Sequence, residues 1–499
     1  MYFNHKMKAY EQAEQLYHDD LFAASKKAFT DLQPQLEEHS EMYANCQYYI
    51  ACAALRLNEY NADEQMRDFV DNYPNALKRN DAILETAQFY YDKGAYGKAA
   101  PWFKDTDQKI VPWNKKNEFL FNYGYTLFKT NQLEKSKEYF KQVLHTPEFG
   151  SKAKYYYGFI AYKDDDYQEA EEYLEDVLED KEYNKEASYY LADMSFKSGQ
   201  FQKAIDQATP LLNQAKANEL SEINKIIGES YFNLKQYDKA IPHLSAYKGK
   251  KGRWNNTDYY QLGYCYYKQG NYNKAIEQFN KIIDGKDSVA QNAYYHLAEC
   301  YLKLDKKTEA LNAFRNASQM SFNAQIQEDA ALNYAKLSYD IGNPYQPVAE
   351  VLRDYLKRYP NTTEKESIKR QIISAYDQAQ DYKEAMKYLE KQGQNVSNET
   401  YQKMAFLSGL KHFGNADYTD AIHDFDQSLS NGINDAYKAR ATFWKAESNY
   451  QLKNYKAAKT LFNQFKSLSG ALNTDEYNTV EYQLGYTNFK LKDYNNAAI

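Results

Sequence analysis

The side chains that could carry catalysis or bind a metal are few and scattered along this sequence. The eight histidines form no His-Glu-x-x-His motif and pair with no nucleophile motif. Cys46, Cys52, Cys265 and Cys300 lack the spacing of a zinc site and are too few for a disulfide scaffold. The acidic triplet 164–166 lacks the alternating ligand spacing of a calcium loop. The sequence therefore predicts no catalytic residue, no metal site and no cofactor.

Composition and charge argue against two further classes of function. The chain has 499 residues, with 62 basic and 69 acidic side chains and a net charge of -7. These charges are spread along the chain, so no broad basic face is available to neutralise nucleic-acid phosphates. The sequence has no run of 18 apolar residues, and its first residues, MYFNHKMKAYEQAEQLY, contain no signal-peptide core. We expect no nucleic-acid partner and no membrane insertion, and either a cytoplasmic protein or a missing leader.

The sequence repeats itself along its whole length. The clearest unit, residues 256–285, contains a Leu-Gly pair, then Tyr, then Gly-x-Tyr-x-x-Ala, then Phe. The step from Ser136 to Ala170, for example, is 34 residues, and most steps are 34 to 37. Counting Ala275 itself there are 14 units, and its equivalents stand at Ser25, Asp63, Ala99, Ser136, Ala170, Ala204, Ala240, Ala310, Ala349, Ala385, Ala421, Ala458 and Ala497.

Each unit carries two apolar stripes at helical spacing, so we expect two amphipathic helices, A and B, joined by a short turn. A small residue in helix A should let helix B approach closely; Ile373 alone departs from that pattern. The small positions are Ala13, Ala51, Ala87, Gly124, Gly158, Ala192, Gly228, Gly263, Ala298, Ala335, Gly409, Ala446 and Gly485. Left-handed turn residues are expected at Gly94, Gly199, Gly270, Gly342, Asn131, Asp165 and Asp305.

The repeat pattern resembles the tetratricopeptide repeat over essentially the entire chain. The resemblance implies an all-α fold, an alpha-alpha superhelix of about 13 complete helix-turn-helix repeats plus one truncated repeat, with Ile499 about one turn into the last helix B. The Tyr-, Asn- and Lys-rich repeats also resemble long tetratricopeptide arrays of Bacteroidota. Segments 69–74 and 355–360 are similar to repeat endings of bacterial envelope lipoproteins. These resemblances imply a periplasmic or outer-membrane associated protein; the alternative is a cytoplasmic one.

One stretch is less regular than the rest. Pro344 and Pro347 lengthen the turn before Ala349, and helix B is expected to start near Pro347. We therefore divide the chain into an N-terminal array (1–342), an irregular turn with its helix B (343–363) and a C-terminal array (364–499). A tolerated insertion explains the irregularity better than a binding loop does.

In this family, ligands usually lie in a concave groove lined by helices A. The resemblance therefore implies a protein-binding site formed by Tyr125, Lys129, Tyr155, Phe159, Lys163, Tyr189, Asp193, Lys197, Glu229, Asn233, Tyr260, Tyr264, Lys268, Tyr295, Glu299, Lys303, Tyr482 and Tyr486. Family members that capture C-terminal carboxylates place a lysine three residues before the small position. This chain has aromatic residues there in several repeats, such as Tyr155 and Tyr189. Apolar or folded partner segments are thus favoured over charged tails.

A cluster of basic residues interrupts the pattern at AYKGKKGRWNN, residues 246–256. It gathers Lys248, Lys250, Lys251 and Arg253 beside a tryptophan. A solvated linker is the favoured interpretation, and a contact for an acidic partner is the alternative.

An unbroken repeat array without a catalytic cluster predicts a non-catalytic scaffold that binds partner proteins or peptides, within a multi-protein complex of the cell envelope. One alternative is a regulatory or targeting region of a larger protein whose catalytic domain lies beyond residue 499. Another is recognition of nucleic acid by a related helical repeat, for which a positive groove would be expected.

Overall fold

The computed structural model describes residues 2–38, 40–282, 284–393 and 398–497. Ile499, used above to define the truncated repeat, lies outside these ranges. The chain divides into two compact units, Met1–Cys265 and Tyr266–Ile499, and each is described by itself. The three stretches expected from the sequence, 1–342, 343–363 and 364–499, stay a prediction.

In the first unit, helices follow one another with short connections. They are α1 (Tyr2–His18), α2 (Phe22–Leu32), α3 (Glu41–Arg56), α4 (Ala62–Asn72), α5 (Arg79–Asp92), α6 (Tyr96–Asp105), α7 (Lys116–Lys129), α8 (Leu133–Phe140), α9 (Gly150–Lys163), α10 (Tyr167–Glu175), α11 (Asn184–Lys197), α12 (Phe201–Ala208), α13 (Ala217–Asn233) and α14 (Tyr237–Ala246). Helix α15 (Asn256–Lys268) contains the division between the units.

The second unit continues with α16 (Tyr272–Phe279), α17 (Ser288–Lys303), α18 (Lys307–Gln319), α19 (Ala324–Ile341), α20 (Val348–Arg358), α21 (Lys365–Gln378), α22 (Tyr382–Gln392), α23 (Asn398–Gly414), α24 (Tyr418–Ser430), α25 (Asp435–Gln451), α26 (Tyr455–Lys466) and α27 (Val480–Lys490). Across the described residues, α1 to α26 make 13 consecutive pairs in sequence, with α27 after them. The predicted all-α class and repeat count are confirmed.

The turn between helices A and B contains a residue with positive φ. All seven residues expected there have φ between 56° and 83°, with Asn131 at 60° and Gly270 at 73° as examples. In other repeats the same place is taken by Asp20, Asn58, Lys235, Gln380, Ala416, Lys453 and Lys492, whose φ values lie between 52° and 66°. Since side chains disfavour this conformation, packing of the two helices must impose it at the lysines and the alanine.

Helices A and B meet at the small residues. A Cβ atom built on Gly158 would lie 2.9 Å from Leu174, and one on Gly409 would lie 2.5 Å from the Phe425 ring. The Ser136 hydroxyl donates to the Gly124 carbonyl at 2.7 Å across the same contact. The missing side chain therefore sets the spacing of the pair, as the sequence predicted.

One repeat departs from the expected register. Ala62 is 3% exposed and packs into the core, whereas Asp63, the expected equivalent of Ala275, is exposed. The Asp63 carboxylate accepts a hydrogen bond from the Trp102 indole at 3.0 Å. The assignment of Asp63 was wrong by one residue, because that turn is one residue shorter: Ala62 lies four positions after the positive-φ residue Asn58, whereas Ala275 lies five after Gly270.

The proline-containing turn is ordered by one side chain. The Asn343 amide donates to the Tyr334 hydroxyl and to the Ser338 hydroxyl, both at 2.8 Å. Its carbonyl accepts the Tyr345 backbone N–H at 2.8 Å. Helix α20 then begins at Val348, directly after Pro347, in agreement with the sequence analysis.

We predict that Gly409→Ala lowers the free energy of unfolding by about 1 to 3 kcal/mol, because the new methyl group meets the fully buried Phe425 ring. Gly414→Ala is the matched control: it lies in the same helix, with no atom within 4 Å of its built Cβ. That control should be neutral or stabilising by up to about 1 kcal/mol. Urea unfolding of both variants checks this, and equal effects would contradict the assigned contact.

Candidate functional site

The residues predicted to line a groove lie on helices A. In the first unit the aromatic members, such as Tyr125 and Phe159, are half-buried, whereas Lys129, Lys163 and Lys197 are exposed. In the second unit Lys268 and Lys303 are exposed, and Tyr482 and Tyr486 are 65% and 48% exposed. Glu229 differs from this pattern because it is only 8% exposed.

Five rings form a continuous series, here called the aromatic row, along α7, α9 and α11. The ring centroids of Tyr125 and Tyr156 lie 5.0 Å apart, and those of Phe159 and Tyr190 lie 5.1 Å apart. Phe128 links the two pairs, at 5.1 Å from Tyr156 and 5.8 Å from Phe159. Tyr156 and Tyr190 were not among the predicted residues. The row thus joins the helices A of three successive repeats.

The other predicted aromatic residues make smaller groups. Tyr155 stacks on Tyr183 with centroids 4.7 Å apart. Tyr264 lies 5.8 Å from Tyr260 and 5.9 Å from Phe232. In the second unit, the ring centroids of Tyr482 and Tyr486 lie 4.8 Å apart.

Remaining polar members of the predicted set pair locally. Asn233 donates its amide to the Glu229 carbonyl at 2.8 Å. The Tyr295 hydroxyl donates to Asp329 at 2.5 Å, and the Glu299 carboxylate lies 2.7 Å from His296 Nδ1. The structure therefore does not gather these side chains into one cluster.

Asp193 is the centre of a small polar group at the end of the aromatic row. Its carboxylate accepts the Tyr162 hydroxyl at 2.6 Å and pairs with the Lys197 ammonium at 2.7 Å. Burial lowers the pKa of Lys197, but the hydrogen bonds with Asp193 and Tyr162 outweigh it and raise that pKa overall. Lys197 therefore stays a cation and is unsuited to act as a base.

Next to this group, α11 and α13 border a solvent-open cavity of about 310 Å³, here called the anchor cavity. It is lined by Lys185, Glu186, Tyr189, Tyr190, Leu211, Glu219, Glu222 and Ile223. Lys185 pairs with Glu219 at 2.5 Å, and Glu186 and Glu222 have no ion pair within the described residues. Burial raises the pKa of Tyr189 to about 12, so its hydroxyl stays protonated. The cavity thus combines apolar walls with two available carboxylates.

One lysine does occupy the position that carboxylate-binding relatives use. Lys225 lies three residues before Gly228, but it is 3.4 Å from the Asp258 carboxylate and 3.9 Å from that of Glu229. Its ammonium also lies 4.7 Å from the Tyr247 ring centroid. Neighbouring acids therefore already neutralise this cation.

Two buried carboxyl groups in the second unit were missed by the sequence analysis. Glu447 follows the small residue Ala446, the register position of Tyr125 and Phe159, yet it is 6% exposed and its Oε1 has no hydrogen bond among the described residues. Burial raises the pKa of Glu447 to about 7. Glu476 is equally buried, but Arg440 and the Trp444 indole donate to it at 2.8 and 2.9 Å. Although burial raises its pKa, these two donors hold it below the usual value.

The described residues contain no group of three His, Cys, Asp or Glu side chains placed to hold a metal ion. None of the described helices is long and apolar enough to cross a membrane. What the arrangement offers is a series of edge-to-face and tilted rings beside an acid-lined cavity.

Comparison with known families matches several parts of the sequence. Residues 118–144 and 406–469 match models of the tetratricopeptide repeat. Residues 163–247 and 249–317 match the model of subunit 3 of the anaphase-promoting complex, or cyclosome. None of the curated proteins matches the sequence.

Several solved structures resemble this chain at low sequence identity, and two of them are described as tetratricopeptide repeat proteins. A tetratricopeptide repeat protein from Parabacteroides merdae is 15% identical, covers 51% of this chain and 98% of its own, and has a TM-score of 0.31. The C-terminal part of a repeat protein from Cytophaga hutchinsonii is 18% identical over 50% of this chain and 98% of its own, with a TM-score of 0.38. The pilus biogenesis factor PilW is 20% identical over 44% of this chain and 96% of its own, with a TM-score of 0.29.

The two buried carboxyl groups should affect stability in opposite directions with pH. Because burial raises the pKa of Glu447 to about 7, the folded protein holds this proton more tightly than the unfolded chain does. The free energy of unfolding therefore falls as pH rises from about 4.5 to about 7. We predict that Glu447→Gln stabilises the protein at pH 8 by about 1 to 3 kcal/mol and has little effect below about pH 4.5.

Glu476→Gln is the matched comparison. The pKa of Glu476 is lower in the folded protein than in the unfolded chain, so the ionised carboxylate stabilises the fold at pH values above the usual carboxyl pKa. That stabilisation is lost as pH falls through the pKa of the folded state. This variant should therefore lose about 1 to 3 kcal/mol at pH 8 and less in acid. Urea unfolding across this pH range measures both effects, and destabilisation of Glu447→Gln at every pH would show that its carboxylate is solvated or paired.

Proposed function

We propose that this chain, a member of the tetratricopeptide repeat family, is a non-catalytic scaffold that binds partner proteins or peptides along its helices A. The repeats themselves support a role in protein interaction. In the first unit the anchor cavity and the aromatic row lie on successive helices A, and this continuity is the observation that carries the proposal. The aromatic rings provide apolar contact area and the tyrosine hydroxyls provide hydrogen bonds, which suffice for binding a partner without a reacting group.

The anchor cavity suggests the chemistry of the bound segment. Tyr189, Leu211 and Ile223 can cover the aliphatic part of a side chain, while Glu186 and Glu222 can pair with a cationic end. A lysine or arginine flanked by apolar residues fits both features. Tyrosine side chains lose little entropy on binding, which favours the row as the contact for those apolar residues.

We further propose that the scaffold serves assembly or maintenance of a cell-envelope complex, in the periplasm or at the outer membrane. The support is the resemblance of segments 69–74 and 355–360 to repeat endings of envelope lipoproteins, together with the resemblance to Bacteroidota arrays. Cytoplasmic residence is the alternative, and fractionation of the source cells distinguishes the two.

A photo-crosslinking amino acid tests the location of the partner. Placed at Tyr189, it should give discrete crosslinked proteins from native cells, because that side chain lines the anchor cavity. Placed at Gln202, an exposed position on α12, it should give none of the same products. Identical products from both positions would contradict binding at the cavity.

Charge reversal tests the chemistry of the cavity once a crosslinked partner segment is known. We predict that Glu186→Lys with Glu222→Lys weakens binding of that segment about tenfold or more, since two carboxylates become two repelling cations. Glu138→Lys with Glu172→Lys is the matched control, at exposed positions on α8 and α10. Calorimetric titration should show less than about a twofold change for the control; equal losses would point to net charge alone.

A further inference from the structure

The basic segment that follows α14 is an ordered turn. Residues 248–253, here called the basic turn, close through an antiparallel bridge between Lys250 and Arg253. The central residues Lys251 and Gly252 both have positive φ, at 53° and 76°, which is typical of a type I′ turn. Gly249 also has positive φ, and a Cβ there would lie 2.3 Å from the Arg253 carbonyl carbon. The segment is therefore solvent-exposed, as expected of a solvated linker, and it adopts one defined turn.

The basic turn is fixed to the body of the first unit at both ends. The Lys248 backbone N–H donates to the Ser221 hydroxyl at 3.0 Å. After the turn, the Trp254 indole donates to the Tyr247 carbonyl at 2.8 Å, and its ring lies 5.1 Å from that of Tyr259. A binding partner therefore meets a preformed loop and does not have to order it, which reduces the entropic cost of association.

Four cations project from this short loop. Lys248, Lys250, Lys251 and Arg253 are all exposed, and none makes an ion pair with another described residue. Lys251 occupies a backbone conformation that side-chain-bearing residues disfavour, so the turn displays a cation there at some energetic cost. Elsewhere in this unit many lysines are neutralised, as Lys137 is by Glu169 at 2.7 Å and Lys154 by Asp176 at 2.7 Å.

We propose that the basic turn is a second binding element, outside the groove, that takes a short acidic segment of a partner polypeptide. The carboxylates of that acidic segment would pair with the three cations at the tip of the turn, Lys250, Lys251 and Arg253. Because Lys248 is held against Ser221, directly before Glu222 of the anchor cavity, one partner can contact both places. This site extends the proposed function and does not depend on the chemistry of the cavity.

Neighbouring groups argue against other anionic partners. Glu222, Glu229 and Asp258 lie close to the base of the turn, where Lys225 neutralises them only in part. Glu229 and Asp258 are buried and Glu222 is half-buried, but their negative field disfavours a long polyanion such as duplex DNA more than a short acidic segment at the tip of the turn. A bilayer would need an exposed apolar anchor, but Trp254 is half-buried against Tyr247 and Tyr259.

The test uses fluorescence anisotropy of a labelled hexaglutamate peptide at low ionic strength. We expect the triple variant Lys250→Gln, Lys251→Gln, Arg253→Gln to weaken binding about tenfold. The control triple, Lys27→Gln, Lys135→Gln, Lys181→Gln, removes the same charge from exposed positions of the same unit and should change binding less than about twofold. Added salt should weaken wild-type binding.

A further variant separates geometry from charge. Gly249→Ala keeps all four cations but cannot keep the turn, so binding should weaken by an intermediate factor while circular dichroism shows intact helices. Tyr189→Ala should leave peptide binding unchanged, which keeps this site distinguishable from the groove. Equal weakening by the two triples, no wild-type binding, or tighter binding of duplex DNA or anionic vesicles through the same three residues would overturn the proposal.

Discussion

The close approach of helices A and B at one small residue is the contact on which each repeat depends. At Gly124, Gly158, Gly228 and Gly409 a single added methyl carbon would lie within 3.1 Å of the partner helix. This contact fixes the rotation of both helices, which in turn buries phenylalanines such as Phe140 and Phe425 completely. Rotation also decides which side chains of helix A remain available. The aromatic row and the anchor cavity therefore follow from a packing constraint on another face of helix A.

Sequence reasoning predicted this contact well because the small residue, the aromatic turn residue and the buried phenylalanine recur with fixed spacing. It predicted the turns less completely. Gly270 and Asn131 belong to residue types that tolerate positive φ, whereas nothing in the residue type of Lys235, Ala416 or Lys453 indicates that conformation. Their conformation costs on the order of 1 kcal/mol each, and the packing of the two helices offsets that cost. Local preference alone could not have identified these positions.

The candidate site was predicted only in part, for a related reason. The register correctly placed Tyr125, Phe159 and Tyr189 on helices A, but Tyr156 and Tyr190 complete the aromatic row from a position two residues before the small residue. Leu211, in the short 3-10 segment Thr209–Asn213, contributes to the anchor cavity. Such contributions depend on how consecutive helices are placed. Glu447 illustrates the same dependence. It occupies the same position in its repeat as Phe159, directly after the small residue, yet Phe159 is half-buried and Glu447 is buried.

The abundance of tyrosine has a structural explanation beyond recognition. Tyr48 donates to Glu85 at 2.6 Å, Tyr162 to Asp193 at 2.6 Å and Tyr295 to Asp329 at 2.5 Å. Each bond joins helix A of one repeat to helix A of the next, so the ring fills the space between repeats while the hydroxyl fixes their alignment. A hydrogen bond to a charged group contributes about 1.5 to 3 kcal/mol, and phenylalanine would leave the carboxylate without it. Tyrosines bonded in this way stabilise the packing of adjacent repeats. In the proposed function, recognition uses tyrosines such as Tyr189, whose rings line the anchor cavity.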